Sequence, residues 1–182
     1  MDRIPTYWAD AKRHLRAVDP IIASIIDLHE EPPLRSKGRV FETLVHAIVG
    51  QQISAIAADA VWRRFLDLVN DVTPSHVAAH SYEALRGVGL SGRKVEYIQG
   101  LAEHAAWVDS VDWSSFSDDE VRKKLIALRG VGPWTAEMVL IFSLLRPDIF
   151  PLGDIGVIRA IEELYAEKKR LSIKEVEAIG SA

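Results

Sequence analysis

The sequence contains no cysteine. This absence excludes disulfide bonds, thiolate zinc sites and a cysteine-ligated iron–sulfur cluster, and it suits an intracellular protein. Long apolar runs are missing too, since no stretch approaches the roughly 18 residues of a membrane-spanning helix. The first fifteen residues carry charges and a proline where a secretory signal is apolar. We therefore expect a cytoplasmic protein.

An excess of positive charge is also absent. The chain has 22 Lys and Arg against 26 Asp and Glu, which gives a net charge of −4. This balance argues against nucleic-acid binding through bulk positive charge, although a locally basic face would suffice. Three short cationic runs offer such a face or an ordinary solvated surface: RSKGR (35–39), GRK (92–94) and RKK (122–124).

Alternating patterns typical of β-strands are scarce, and only RPDIFPLGD (146–154) is ambiguous. Elsewhere apolar residues recur at helical spacing. Ser54, Ser91 and the SFSDDE stretch (115–120) carry capping signals that predict helix starts. The 182 residues suffice for one large domain or two small lobes. The predicted fold class is all-α.

The stretch LRGVGPWTAEMVLIF (128–142) places two glycines before an apolar helix. Glycine enters left-handed backbone conformations freely and allows another molecule to approach the main chain, so Gly130 and Gly132 predict a tight hairpin. The unpaired amides and the dipole of the following helix favour an anion such as a phosphate. The same five letters, LRGVG, occur at 85–89, and this repetition predicts either two convenient helix ends or two loops that face one ligand.

Asp154 follows a Pro-Leu-Gly turn and precedes the apolar stretch IGVIRAI (155–161). This pattern predicts a helix N-cap. A carboxylate at a helix start is also held in a fixed orientation, as stabilisation of a nearby positive charge requires. Both roles stay open at this point.

LRGVGPWTAEMVLIF, followed by DIFPLGDIGVIRAI (148–161), resembles the helix–hairpin–helix, Gly/Pro-rich-loop and aspartate signature of the DNA base-excision glycosylases. AIVGQQISAIAADAVWRRF (47–65) and GLSGRKVEYIQGLA (89–102) are similar to the upstream segments of the alkylpurine branch, DNA-3-methyladenine glycosylase II. The resemblance spans about 41–161, with four separated motifs in family order.

The resemblance implies a compact two-lobed helical fold with an active-site cleft between the lobes. Residues 1–182 would form a single catalytic unit, with one lobe from 1–40 plus 145–182 and a central lobe from 41–144 that carries the hairpin near 126–136. The chain begins directly with helices, as in family members without a β-containing N-terminal domain. It ends at EAIGSA, whereas the family usually continues through a helix with a Trp-x-Pro-x-Arg segment, on which we expect pocket closure to depend.

Asp154 matches the family's catalytic aspartate. Trp134 occupies the hairpin position at which lyase-competent relatives carry a lysine nucleophile, so the resemblance implies a monofunctional enzyme that leaves an abasic site. Trp134 and Met138, one helical turn apart, would form walls of the base pocket, with core packing as the alternative. His46 is either an interior histidine or a further pocket residue.

The loop GQQIS (50–54) matches the family segment that fills the gap left by an extruded base. Gln52 is therefore the candidate wedge, with Ile53 or Ser54 as alternatives, and Gln51 would orient the loop. For either glutamine, a hydrogen-bonding role in the helix junction is the alternative. The further residues predicted to contact DNA are Gly89, Ser91, Lys94, Gly130, Gly132 and Thr135. Family hairpins often bind a monovalent Na⁺ or K⁺ through backbone carbonyls that match Ile126, Leu128 and Gly130.

The implied function is hydrolytic removal of alkylated purines, of the 3-methyladenine and 7-methylguanine type, from double-stranded DNA in base excision repair. We expect a monomer with no membrane contact and no required cofactor, working at the bacterial nucleoid. Two alternatives stay open: a non-catalytic helix–hairpin–helix binder of damaged or bent DNA, and a glycosylase for oxidised guanine or mismatched adenine. His76 and His80 have metal-ligand spacing, but no third ligand is evident.

Overall fold

Helices supply the regular structure of the computed structural model, which describes residues 4–29, 33–36 and 38–181. Within those ranges there is no strand, and no helix is long and apolar enough to cross a membrane. The predicted all-α class is confirmed, and 146–154 is a loop with a short turn. The α-helices are α1 (Trp8–Val18), α2 (Pro20–Leu28), α3 (Val40–Gly50), α4 (Ala55–Val69), α5 (Pro74–Ala78), α6 (Tyr82–Gly87), α7 (Gly92–His104), α8 (Asp118–Ile126), α9 (Pro133–Phe142), α10 (Ile155–Tyr165) and α11 (Ile173–Gly180).

Side-chain caps begin many of these helices, among them the three starts for which the sequence carries capping signals. Ser54 Oγ accepts a hydrogen bond from the amide of Ala57 at the start of α4. Ser91 does the same at the start of α7, and Ser117 forms a complete capping box with Glu120 at the start of α8. Each bond satisfies an amide that has no partner within the helix. These three predicted helix starts are confirmed.

The chain divides into two compact units, residues 1–36 with 145–182 and residues 37–144. We call them the terminal unit and the central unit. Lys37, part of the cationic run RSKGR, lies outside the described residues.

Helix α3 is the core of the central unit. Phe41, Leu44, Val45 and Ile48 are fully buried in it. The helix packs against α4, α7 and α9, and α8 packs against α9. A helix that is apolar on nearly every side must be covered by neighbours. Because these neighbours hold α3 in place, the point at which the chain leaves α3 for α4 is fixed as well.

In the terminal unit, α1 packs against α2 and α10 against α11. Asp19 joins these pairs. Its Oδ1 accepts from the amides of Ile21 and Ile22 and so caps α2, while its Oδ2 accepts from the hydroxyl of Tyr165 at the end of α10, at 2.5 Å. The Tyr165 bond is the main reason that the pKa of Asp19 is lowered. Burial and the adjacent carboxylate raise the pKa of Tyr165 to about 12.

Replacing Tyr165 by Phe should lower the unfolding temperature and change its pH dependence. Because the pKa of this phenol is raised on folding, its stabilising contribution is complete below about pH 10 and disappears as the pH rises through about 12. Tyr165→Phe should therefore unfold at a lower temperature than the parent at pH 8, and the difference should shrink towards pH 12. Thermal unfolding followed by circular dichroism tests this, with Tyr82→Phe as the exposed-tyrosine control. A difference that stays constant to pH 12 would contradict the assignment.

Candidate active site

The hairpin turn, which we define as residues 127–132, joins α8 to α9 in the central unit. Gly130 has φ +89°, and a Cβ atom there would lie 2.4 Å from the ring of Tyr97. Only glycine fits such a position. Gly132 has φ −99° and ψ 179°, an extended conformation open to any residue, and no atom lies within 4 Å of its Cβ position. Gly130 thus shapes the turn, while Gly132 leaves its surface open.

Helix α9 begins without a side-chain cap. Gly132 is its N-cap and Pro133 its first residue. Because glycine has no side chain, it gives the first-turn amides no capping acceptor and does not shield them from an approaching ligand. This geometry, with the positive end of the helix dipole, supports the predicted phosphate contact.

The wedge loop, residues 51–54, connects α3 to α4. Gln52 is exposed and has φ +56°, a left-handed conformation that is unusual for a residue other than glycine. Ile53 is 41% exposed. Since the Ser54 hydroxyl caps α4, Gln52 and Ile53 are the two candidate wedge side chains with no capping role.

Gln51 connects the wedge loop to the hairpin. Its Nε2 donates to the carbonyl oxygen of Gly130 at 3.1 Å and to Thr135 Oγ1 at 3.0 Å. Thr135 is 1% exposed, and its hydroxyl is used inside the protein. Both side chains therefore form internal hydrogen bonds. These bonds join the wedge loop to the hairpin, and both of these segments are predicted to bind DNA.

Lys94, on α7, also points to the wedge loop. Its Nζ donates to the carbonyl oxygens of Val49 and Gln51, both at 2.8 Å. Burial lowers the pKa of this ammonium. Ser91, its neighbour at the helix start, uses its hydroxyl as the cap of α7. Both predicted DNA contacts thus have intramolecular roles for their side chains.

The two LRGVG copies adopt different backbones. In the first, α6 runs through Gly87, and Gly89 is the residue with positive φ, at +103°. In the second, α8 ends before the motif begins; Gly130 takes the positive φ and Gly132 is extended. The shared letters therefore reflect the use of glycine near helix ends, and they do not create two equivalent loops.

Asp154 is the N-cap of α10 in the terminal unit. Its Oδ1 accepts from the amides of Gly156 and Val157 at 2.8 and 3.0 Å. The predicted cap is confirmed. The two bonds fix the orientation of the carboxylate, and its catalytic role stays a prediction.

The structure places His46 on α3 against aromatic residues of α4. Its ring meets that of Trp62 edge to face at 4.5 Å, and Trp62 stacks on Phe65 at 5.4 Å. His46 and Trp62 line a cavity of about 200 Å³ with Glu42 and Thr43. Trp134 and Met138 on α9 are not among its lining residues, and Met138 is 9% exposed.

Sequence reasoning missed Trp62, Glu42 and Tyr97. The aromatic residues of AVWRRF (60–65) at helical spacing on α4 were a signal for Trp62. Burial raises the pKa of Glu42 against the opposing effect of Arg39, 3.6 Å away. Nothing local in the sequence marks Tyr97 as the residue that packs on Gly130, because the two are 33 positions apart.

The residues considered for metal binding show few ligand features. Within the described residues, no group of three or more His, Asp or Glu side chains is arranged to hold a metal ion. His76 Nδ1 instead lies 3.0 Å from the carbonyl oxygen of Asp71. At the predicted monovalent-cation position, Leu128 O accepts from the amide of Val131 and Gly130 O accepts from Gln51. Each carbonyl keeps a second lone pair, and the cation itself stays a prediction.

A helix–hairpin–helix element with a glycine turn, within an all-α chain, defines a class of DNA-binding proteins. The family model of the HhH-GPD superfamily base excision DNA repair proteins matches residues 45–181. This chain belongs to that superfamily.

Its relatives include repair glycosylases. The chain is 30% identical over 167 residues to DNA-3-methyladenine glycosylase 1 of Schizosaccharomyces pombe, covering 86% of this chain and 72% of that one. It is 31% identical to the putative DNA-3-methyladenine glycosylase YfjP of Bacillus subtilis, but spans only 54% of that protein. The structure of the S. pombe 3-methyladenine DNA glycosylase in complex with abasic DNA matches with a TM-score of 0.84 at 27% identity, covering 94% of this chain and 88% of that one.

Substituting the two hairpin glycines one at a time should separate protein stability from affinity for DNA. Gly130→Ala places a methyl group against Tyr97 in left-handed backbone, so the free energy of unfolding should fall by about 3 kcal/mol. Gly132→Val enters open space in extended backbone and only weakens the N-cap of α9, so stability should fall by about 1 kcal/mol or less. Its affinity for DNA should drop, because the side chain blocks access to the amides of α9. Denaturant unfolding and binding to an abasic-site duplex measure both effects; unchanged affinity of Gly132→Val would place the DNA elsewhere.

Proposed function

We propose that this chain is a monofunctional DNA glycosylase. It extrudes alkylated purines of the 3-methyladenine and 7-methylguanine type from double-stranded DNA, hydrolyses their N-glycosidic bond and leaves an abasic site. The observation that carries the proposal is the Asp154 carboxylate, fixed by two amides at the start of α10 within a base excision repair family. The relatives named as 3-methyladenine glycosylases support the substrate class.

The carboxylate suits the bond that breaks. Cleavage of an N-glycosidic bond develops positive charge on the sugar, and an oriented anion stabilises that charge. Because the capping bonds preset the orientation of Asp154, little reorganisation is needed when the charge appears. A water molecule then adds to the sugar carbon, and Asp154 stabilises the cation, assists the water, or does both.

The substrate brings much of the reactivity. Alkylation at N3 or N7 gives the purine a positive charge, so the base leaves without prior protonation by a strong acid. An aromatic face attracts an electron-poor ring, and Trp134 offers one in the first turn of α9. The protein then has to extrude the nucleotide, hold the base and stabilise the sugar.

The absence of an amine at the hairpin position supports hydrolysis without strand cleavage. A Schiff base to the sugar requires a lysine nucleophile, and Trp134 stands where lyase-competent relatives carry it. We propose a monomeric cytoplasmic enzyme acting on nucleoid DNA with no required cofactor. A monovalent cation at the hairpin carbonyls would reinforce the turn.

Asp154→Asn should abolish most base release while keeping the fold. Asparagine caps a helix about as well as aspartate, so α10 persists, but the negative charge is lost. The excision rate on DNA treated with a methylating agent should fall at least about 100-fold, with abasic-site DNA still bound. Release of free methylated base is measured, and strands are scored with and without alkali.

Asp148→Asn is the matched control. This aspartate is exposed in the loop before α10, so its substitution should leave excision unchanged. Base release by the parent with nicks only after alkali supports the proposal. Binding to abasic DNA with no release by the parent would instead identify a non-catalytic binder of damaged DNA, and full activity of Asp154→Asn would remove that residue from its role.

A further inference from the structure

The C-terminal end of α3 leaves carbonyl oxygens that no later residue of the helix satisfies. Val49 and Gln51 lie in and just after the last turn, and Val49 is 1% exposed. Unpaired carbonyls at this end carry partial negative charge. Lys94 Nζ donates to both at 2.8 Å. We call this pair of contacts the Lys94 bridge.

The same residue whose carbonyl oxygen accepts from Lys94 also binds the hairpin. The side chain of Gln51 donates to Gly130 O and Thr135 Oγ1, while its own main-chain carbonyl accepts from Lys94. Gln51 is thereby held on two sides. Gln52 follows it directly, exposed and in a left-handed conformation. The direction in which Gln52 and Ile53 leave the protein is therefore set by Gln51.

We propose that Lys94 is a positioning residue for base extrusion, because its bridge holds Gln51 and so fixes the wedge loop against the hairpin. This inference rests on the proposed function. Lys94 acts through the loop and makes no phosphate contact, in contrast to the DNA-binding role that the sequence suggests for it.

The geometry favours an internal role over a phosphate contact. An ammonium has three N–H donors, and two of them are used on main-chain carbonyls. Lys94 is half-buried, and burial lowers its pKa, which is unlike a solvated cation that meets a phosphate. Arg93, the preceding residue, is exposed. The adjacent cations thus differ in environment, and Arg93 is the one open to DNA.

A wedge side chain must keep its position inside the duplex, and the Lys94 bridge would hold the loop that carries it. A side chain that enters the gap left by an extruded base is pushed back by the stacking energy of the duplex. A loop in an unusual backbone conformation relaxes readily unless its surroundings hold it. With the bridge removed, the loop should still approach DNA but should fail to keep the nucleotide out of the stack.

The test compares Lys94→Met with Arg93→Met in the full chain. The probe is a duplex in which 2-aminopurine lies beside a tetrahydrofuran analogue of an abasic site. The fluorescence of 2-aminopurine rises when it loses stacking. Affinity is measured over a salt series, since each phosphate contact contributes about 1 to the slope of log K against log salt. The single-turnover rate of base release is measured on methylated DNA.

Lys94→Met should leave the salt slope and the affinity for undamaged duplex unchanged, lose most of the fluorescence rise and release base at least about tenfold more slowly. Arg93→Met should show the reverse pattern, with a shallower salt slope and a retained fluorescence rise. If Lys94→Met lowers the salt slope by about 1 and weakens binding to undamaged DNA, Lys94 is a phosphate contact. If it keeps both the fluorescence rise and the rate, the bridge does not position the wedge.

Lys94→Arg keeps the test decisive if Lys94→Met does not fold. Arginine binds phosphate at least as well as lysine, but its larger planar fork does not reproduce the compact ammonium that lies between the two carbonyls. A phosphate contact predicts undiminished activity for Lys94→Arg, whereas the bridge predicts a reduced fluorescence rise and rate at an unchanged salt slope. Because binding and fluorescence are read on abasic-site DNA, they report on the bridge even if the parent releases no base.

Discussion

The end of helix α3 is the point on which the arrangement of the central unit depends. A helix that stops inside a protein leaves carbonyl oxygens that need donors. Here Lys94 supplies them from α7, and Gln51 turns its side chain to the hairpin between α8 and α9. Three segments far apart in sequence thus meet through three polar atoms at the end of α3, which are Val49 O, Gln51 O and Gln51 Nε2. Tyr97, also on α7, packs where only a glycine at position 130 leaves room. The turn that would grip a phosphate and the loop that would enter the duplex therefore share one support.

The sequence predicts local features of this chain well. The caps at Ser54, Ser91, Ser117 and Asp154 are confirmed because each depends on residues within three positions. Contacts that join distant segments are different. Three of them depend on how distant segments pack: the His46–Trp62 pair, the Lys94 bridge and the Tyr97–Gly130 contact. For this reason the sequence predicts a solvated surface for the run GRK, although its Lys94 faces inward. The two LRGVG copies also differ in backbone: α6 includes the first three letters of one copy, α8 ends before the other begins, and the glycine with positive φ is Gly89 in the first copy and Gly130 in the second.

The cationic runs provide less positive surface than their letters suggest. Arg39 pairs with Asp71, and Arg122 with Asp119 at 2.9 Å. Arg129, next to the hairpin glycines, pairs with Glu96 at 2.9 Å. Each pair cancels charge on the central unit, in line with a net charge of −4 for the whole chain. In the proposed function, DNA binding would rely on amides at the start of α9, which carry no net charge and lose nothing to internal carboxylates. Such contacts fix the register of the duplex without reading its sequence, as suits an enzyme that must examine every site.

Asp154 combines a structural and a chemical requirement in one side chain. As the N-cap of α10 it satisfies two amides, and the helix dipole favours its negative charge. Those interactions also restrict the motion of the carboxylate, which is useful if charge is to develop beside it. Selection on helix stability alone accepts Ser, Thr or Asn at this position, since all of them cap. Only the anion offers stabilisation of a positively charged sugar. The helix dipole accounts for part of the preference for aspartate over its neutral equivalents, and the proposed chemistry gives the same charge a second use beside the sugar.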